Sequence, residues 1–203
     1  MSNDKCCRGV CIKRLTNEFN ARRGEHRYTG FTLIELIVVF TVVIILSGLV
    51  LSTVGYVQKK GARARAETQI AAMSAACENY KADNGIYPRD ATTTDTLDAR
   101  GTISMTNYQA ASQYLYGQLA GDLDFDGVPE SNRKSYMQFK PNMLGTDNNN
   151  KVYPRDPFGN SYGYSTIQAA TGDSTKGYNP TFDLWSTTGQ TTGNDATQWT
   201  RNW

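Results

Sequence analysis

Gly30-Phe31-Thr32-Leu33-Ile34-Glu35 is the stretch that decides how this chain is built. Before it lies a polar, basic segment; after it the sequence turns apolar at one glycine and stays so. From Phe31 to Val54 there are 24 residues without Lys, Arg, Asp, Asn, Gln or Pro. As a helix that run would reach about 36 Å, enough to cross a bilayer with some tilt. Glu35 is its one charge. A carboxylate inside a membrane segment costs roughly 2.5–3.5 kcal/mol on insertion scales, so it calls for a partner or a function, unless it snorkels to the nearby interface.

The 203 residues carry a formal charge of +2, a mean hydropathy of −0.52 and a pI near 8.3. These averages hide a division. Lys5, Arg8, Lys13, Arg14, Arg22, Arg23 and Arg27 outweigh Asp4, Glu18 and Glu25, so residues 1–30 hold +4 and the remainder −2. The basic pI is therefore no argument for nucleic-acid binding by the rest of the chain. The leading positives favour a cytoplasmic N-terminus and an exported C-terminal domain, with Lys59, Lys60, Arg63 and Arg65 opposing that rule beyond the span. Cys6, Cys7, Cys11 and His26, the only histidine, also lie in the leader. If the leader is lost, imidazole chemistry goes with it and Cys77 remains as a lone thiol, read as a small core residue among Ala72, Met73, Ala75 and Ala76.

Beyond the span the helical pattern continues, with Ile70, Met73, Cys77 and Tyr80 on one stripe, until Asp83-Asn84-Gly85 and Pro88 stop it. Gly48, Gly55 and Gly61 are expected to soften this helix of roughly 50 residues. Arg89–Asn107 is Thr/Asp-rich and reads as a surface loop. A second helix is expected over Asn107–Leu119, capped by Asn107. Strand candidates are Tyr136–Phe139, Val152-Tyr153, Tyr162–Ser165 and Phe182–Trp185, with Pro141–Asn150 turn-rich between them. The expected fold class is α+β: a long N-terminal helix, its first half transmembrane, on a small antiparallel sheet.

The Gly30–Glu35 sextet followed by an apolar run and an amphipathic helix resembles the prepilin signature of type IV pilins and type II secretion pseudopilins. Tyr80-Lys81-Ala82-Asp83-Asn84-Gly85-Ile86-Tyr87-Pro88 looks like the helix exit of major pseudopilins. Asp156-Pro157-Phe158-Gly159-Asn160-Ser161-Tyr162, Phe182-Asp183-Leu184-Trp185-Ser186 and Asn202-Trp203 resemble their C-terminal core. The resemblance implies cleavage by a prepilin peptidase after Gly30, N-methylation of Phe31, and pairing of Glu35 with the Phe31 amine of a neighbouring subunit in a helical filament. It further implies an inner-membrane assembly platform with its ATPase, minor pseudopilins, and a single-pass inner-membrane protein with a periplasmic domain. The division expected is leader 1–30, membrane and assembly half 31–54, amphipathic half 55–85 and globular domain 86–203, with a loop insertion at about 89–151. The long leader and that insertion depart from the shorter secretion subunits and leave a type IV pilus pilin for adhesion or motility as the alternative.

Two loops invite calcium. Major pseudopilins hold a structural calcium after the Phe-Asp-Leu-Trp-Ser stretch; here Gln190 stands near the first acidic position and Asp195 is the remaining acid, so an ion there is expected to be weak or absent. Asp122-x-Asp124-x-Asp126-Gly127 matches the first half of an EF-hand loop, with the Val128 carbonyl and Glu130 as further ligands, but Arg133 stands where the bidentate Glu belongs. Without a cation the same acids read as a solvated Asp-Gly turn. The many tyrosines of the globular half are assigned to packing. With no phosphate-binding loop, nucleophile elbow or histidine pair, an enzyme is not expected. A membrane-anchored calcium-dependent binding module is the reading from a different class; Ala62-Arg63-Ala64 imitates a signal-peptidase site, but Lys59, Lys60 and the length of the apolar run argue against it.

Overall fold

The computed structural model describes residues 30–203, except for the side chains of residues 52 and 53. The leader expectations for Cys6, Cys7, Cys11, His26 and the basic residues lie outside the described residues. The described residues fall into two units, divided between Ser47 and Gly48. The fold class is α+β, as the sequence leads one to expect, with one long helix and two small antiparallel sheets.

Helix α1 covers Leu33–Asn84, 52 residues. Its helical assignment continues through Gly48, Gly55 and Gly61, so the expected softening leaves no break in the element. Gly85, at φ 79°, then takes the left-handed conformation that ends it. The expected stripe is real: Ile70, Met73 and Cys77 are buried and Tyr80 is half-buried, with Ala66 also buried one turn earlier. The stripe joins Leu115, Leu119, Tyr162, Tyr164, Phe182 and Leu184 in one core. Burial pushes the Cys77 thiol far above its ordinary value, which makes it an inert packing residue.

Helix α2 spans Met105–Ala120, starting two residues before the sequence suggested. Ser104, not Asn107, occupies the N-cap, and no side chain caps the helix there. Gly121, at φ 76°, closes it with a backbone bond to Gly117 O. The helix ties two clusters together. Leu115 and Leu119 face the α1 core, while Tyr108 and Ala111 meet Trp185, Trp199, Leu97, Ala99 and Ile103. That second cluster corrects the reading of Arg89–Asn107 as a surface loop. Its threonines disguise a segment that buries Thr94, Leu97, Ala99 and Ile103. The Thr94 hydroxyl remains satisfied, donating to Asp90 O at 3.2 Å and accepting from the Asp90 amide at 2.8 Å and the Thr166 hydroxyl at 2.8 Å.

The strands form two sheets where one was expected. Strands β1 (Leu144–Thr146) and β2 (Val152–Pro154) make an antiparallel hairpin, so the turn-rich Pro141–Asn150 contains a strand. Strands β3 (Gly163–Ser165), β4 (Asp183–Ser186) and β5 (Thr200–Arg201) form a second sheet in the order β3-β4-β5. A short helix, α3 (Ile167–Thr171), follows β3. Tyr136–Phe139 is not a strand: the amides of Tyr136 and Met137 both donate to Leu119 O, at 2.7 and 3.1 Å, and so cap α2. Gly163 faces Trp185 across the β3–β4 pair, and a Cβ there would lie 2.1 Å from the indole. Only glycine lets the tryptophan lie flat over the strand.

Candidate functional site

Three places carry the functional expectations: the start of α1, the loop after α2, and the loop between β4 and β5. At the first, Thr32 and Glu35 form a reciprocal cap. The Glu35 amide donates to Thr32 Oγ1 at 3.3 Å, and Glu35 Oε2 accepts from the Thr32 amide at 3.4 Å and hydroxyl at 3.5 Å. This is a capping box, and its Thr-x-x-Glu signature stood in the sequence unread. The carboxylate therefore has a weak local partner within its own chain, at the positive end of the helix dipole.

Around and beyond it, large apolar side chains are exposed. Phe31, Leu33, Ile34, Phe40, Ile44 and Leu51 are each more than 60% exposed. The most apolar part of α1 is long enough to span a membrane; its 18 most apolar consecutive residues have a mean hydropathy of 2.9 and none of them is buried. Gly30 and Phe31, the expected cleavage and methylation positions, lie just outside the helix and are exposed.

In the loop after α2, Asp122 is fully buried and organises the backbone. Its Oδ1 accepts from the amides of Phe125 (2.7 Å) and Asp126 (3.2 Å), and its Oδ2 from the Gly127 amide and the Tyr116 hydroxyl, both at 2.8 Å. Phe125 (φ 63°) and Gly127 (φ 95°) supply the left-handed turns. One carboxylate oxygen each of Asp122, Asp124 and Asp126 lie within 4.8 Å of one another, with Asp124 and Asp126 exposed. Asp124 is held above the ordinary carboxylate value by its hydrogen bond with Asp122, then by desolvation and the neighbouring acids. Glu130 folds back onto the same loop: its Oε1 accepts from the Leu123 amide at 2.9 Å, while Oε2 is buried with no hydrogen-bond partner. An orphaned buried carboxylate oxygen costs free energy that a cation would offset. Val128 is exposed and its amide donates to Asp126 Oδ1 at 2.7 Å. The cluster can hold a metal ion.

In the β4–β5 loop the candidate ligands are engaged in hydrogen bonds. Gln190 Oε1 accepts from the Trp199 indole at 2.9 Å, and its carbonyl accepts from the Thr187 hydroxyl at 2.6 Å. Asp195 is exposed and caps the turn at Ala196–Gln198 through the Thr197 amide at 3.2 Å. Among the described residues, no group of three metal-capable side chains includes Asp195. Hydrogen bonds to Gln190 and to the Asp195 carboxylate thus hold this loop together.

Two acids missed as structural residues explain the C-terminal motifs. Asp156 is buried, its Oδ1 accepting from the amides of Phe158 (3.0 Å) and Asn160 (2.9 Å) and its Oδ2 from the Ser186 hydroxyl. Asp183 gathers the amides of Tyr178 (2.8 Å) and Asn179 (2.9 Å). Desolvation raises both carboxyls above their ordinary value, against those hydrogen bonds. The tyrosines also serve packing: Tyr108, Tyr116, Tyr162 and Tyr164 are buried.

A prokaryotic N-terminal methylation motif matches residues 26–51, the segment that contains Gly30, Phe31, Glu35 and most of the apolar run. Type II secretion system core protein G of Aeromonas hydrophila is 37% identical over 75 residues, which are 37% of this chain and 50% of the relative. The chain thus spans about half the length of that curated relative. No solved structure gives a significant match. In its methylation motif and in this partial similarity, the chain resembles a pseudopilin-like prepilin.

Proposed function

We propose that this chain is a structural subunit of a type II secretion pseudopilus, not an enzyme. The observation that carries the reading is the methylation motif at the head of a helix whose first half exposes large apolar side chains such as Phe40 and Ile44 and whose second half packs into the core of a globular domain. A helix of that kind needs a second apolar environment: bilayer first, neighbouring helices later.

In this reading a prepilin peptidase cuts after Gly30 and the new amino group of Phe31 is methylated. The subunit waits as a single-pass inner-membrane protein with residues 55–203 in the periplasm. An assembly platform and its ATPase then raise it into a helical filament with other copies and with minor pseudopilins. Glu35 trades its long bonds to Thr32 for the charged amine of a neighbour, neutralising two groups that hydrocarbon would penalise. Glu35→Ala is expected to leave membrane insertion intact and to abolish filaments seen by electron microscopy; normal filaments would remove the role given to Glu35.

The loop at Asp122, Asp124, Asp126 and Glu130 takes calcium in this account, as a rigidifying ion. Oxygen-only ligands and flexible loop geometry suit Ca²⁺, and the orphaned Glu130 Oε2 supports a missing positive partner. In this reading the ion lies on the exported side, and the hydrogen bonds that Gln190 and Asp195 make favour the Asp122 loop over the second candidate loop as its site.

A further inference from the structure

The stripe that α1 buries in the domain runs on below it with a change of chemistry. Tyr56, Lys59, Arg63, Ala66, Ile70, Met73 and Cys77 follow one another at spacings of three and four, hence along one face. The last four are buried. Arg63 is tied to Trp199 O at 3.4 Å and to Glu67 at 3.7 Å. Lys59 and Lys60 are exposed and, among the described residues, have no carboxylate within ion-pair distance. Lys60 lies 5.8 Å from the ring centre of Tyr56, itself 68% exposed. From Val54 to Ala66 the sequence contains no acid.

Position along the helix identifies what these cations meet. At 1.5 Å per residue, Leu33 to Val54 covers about 32 Å, close to the roughly 30 Å hydrocarbon core of a bilayer. Tyr56 then sits about 3 Å and Lys59 and Lys60 about 8–9 Å beyond its edge, the depth of the headgroups. Tyrosine is the residue type of that interface, and lysine stems reach along the helix while their ammonium groups stay with phosphate.

We propose that Tyr56, Lys59 and Lys60 form a collar that binds the phosphates of anionic phospholipids on the exported side of the membrane, fixing the depth at which the subunit is stored. This rests on the reading of residues 33–54 as a membrane span. The collar also accounts for basic residues on the side where orientation rules disfavour them: they are engaged by lipid once exported.

The test uses the full chain in detergent, titrated with phosphatidylglycerol or phosphatidylcholine and read by native mass spectrometry. Retention of phosphatidylglycerol is expected to exceed that of phosphatidylcholine by roughly tenfold to thirtyfold, and Lys59→Gln/Lys60→Gln to erase the difference. Lys140→Gln/Lys176→Gln, at exposed lysines of the globular half, should keep it. Equal retention of the two lipids, or unchanged selectivity in the Lys59/Lys60 variant, overturns the collar. If that variant keeps its lipid selectivity but cannot form filaments, the lysines face an acid of a neighbouring subunit instead. Extraction of the unaltered chain from vesicles by alkaline carbonate would overturn the span itself, a failure separate from loss of lipid selectivity in an inserted chain.

Discussion

The two halves of α1 share one secondary structure and have opposite surroundings. In the second half Ile70, Met73 and Cys77 are at most 3% exposed, whereas in the first Ile44 is 70% exposed and Phe40 64%. The difference shows that helix formation says nothing about what a helix is for. The second half is stabilised by the domain it completes. The first exposes its apolar side chains, which under the proposed function meet the membrane and then neighbouring subunits.

Truncations should expose that division most plainly. Met73→Ala or Leu115→Ala, both at fully buried sites, is expected to cost about 2–5 kcal/mol of domain stability, read from denaturant unfolding in detergent through the tryptophans. Ile44→Ala should leave the midpoint where it was. A comparable loss at Ile44 would mean that the apolar half does belong to the domain. Ile44→Lys inverts the contrast: membrane integration should weaken by roughly 2.5–3.5 kcal/mol while domain unfolding is unaffected.

Chelation probes the domain alone. Removing calcium is expected to lower the thermal midpoint by several degrees, the shift for an ion present at about a hundred times its dissociation constant. Asp124→Asn/Asp126→Asn should show the lower midpoint with or without chelator. A wild-type midpoint indifferent to chelator would leave the loop as a hydrogen-bonded turn.

The smallest effect concerns pH. Burial raises Asp156 and Asp183 above the ordinary carboxylate value, so the folded chain holds these protons to higher pH than the unfolded one. Their contribution is most favourable below about pH 4 and declines as pH rises through their raised folded-state values. Asp83 and Asp90 run the other way, lowered by Lys134 and by Thr92 and Thr93 respectively, and give up their contribution as pH falls through their lowered values. Asp156→Asn should therefore flatten the decline on the rising side, measured as unfolding midpoint against pH; an unchanged slope would mean Asp156 is ionised in the folded chain without penalty.

How much of this was legible follows from the range of the forces involved. The stripe at Ile70, Met73 and Cys77 could be read because helical periodicity is local, and Gly30–Glu35 because its residues are adjacent. The burial of Leu97 and Ile103 could not, since it depends on Tyr108, Trp185 and Trp199, far along the chain. Strand β1 escaped for a similar reason: three residues, Leu144–Thr146, become a strand only through their pairing with Val152–Pro154. Tyr136–Phe139 had the composition of a strand but found the end of α2 instead. At the candidate sites, the sequence supplied the three acids of the loop, while the orphaned oxygen of Glu130 and the Gln190–Trp199 bond needed coordinates.

The most direct test of the account is the mass of the mature amino terminus, taken from protein made in its own host. The account predicts a chain that begins at N-methylated Phe31. A chain that still carries Met1, or one that begins at Arg65 after cleavage by a signal peptidase, would contradict it.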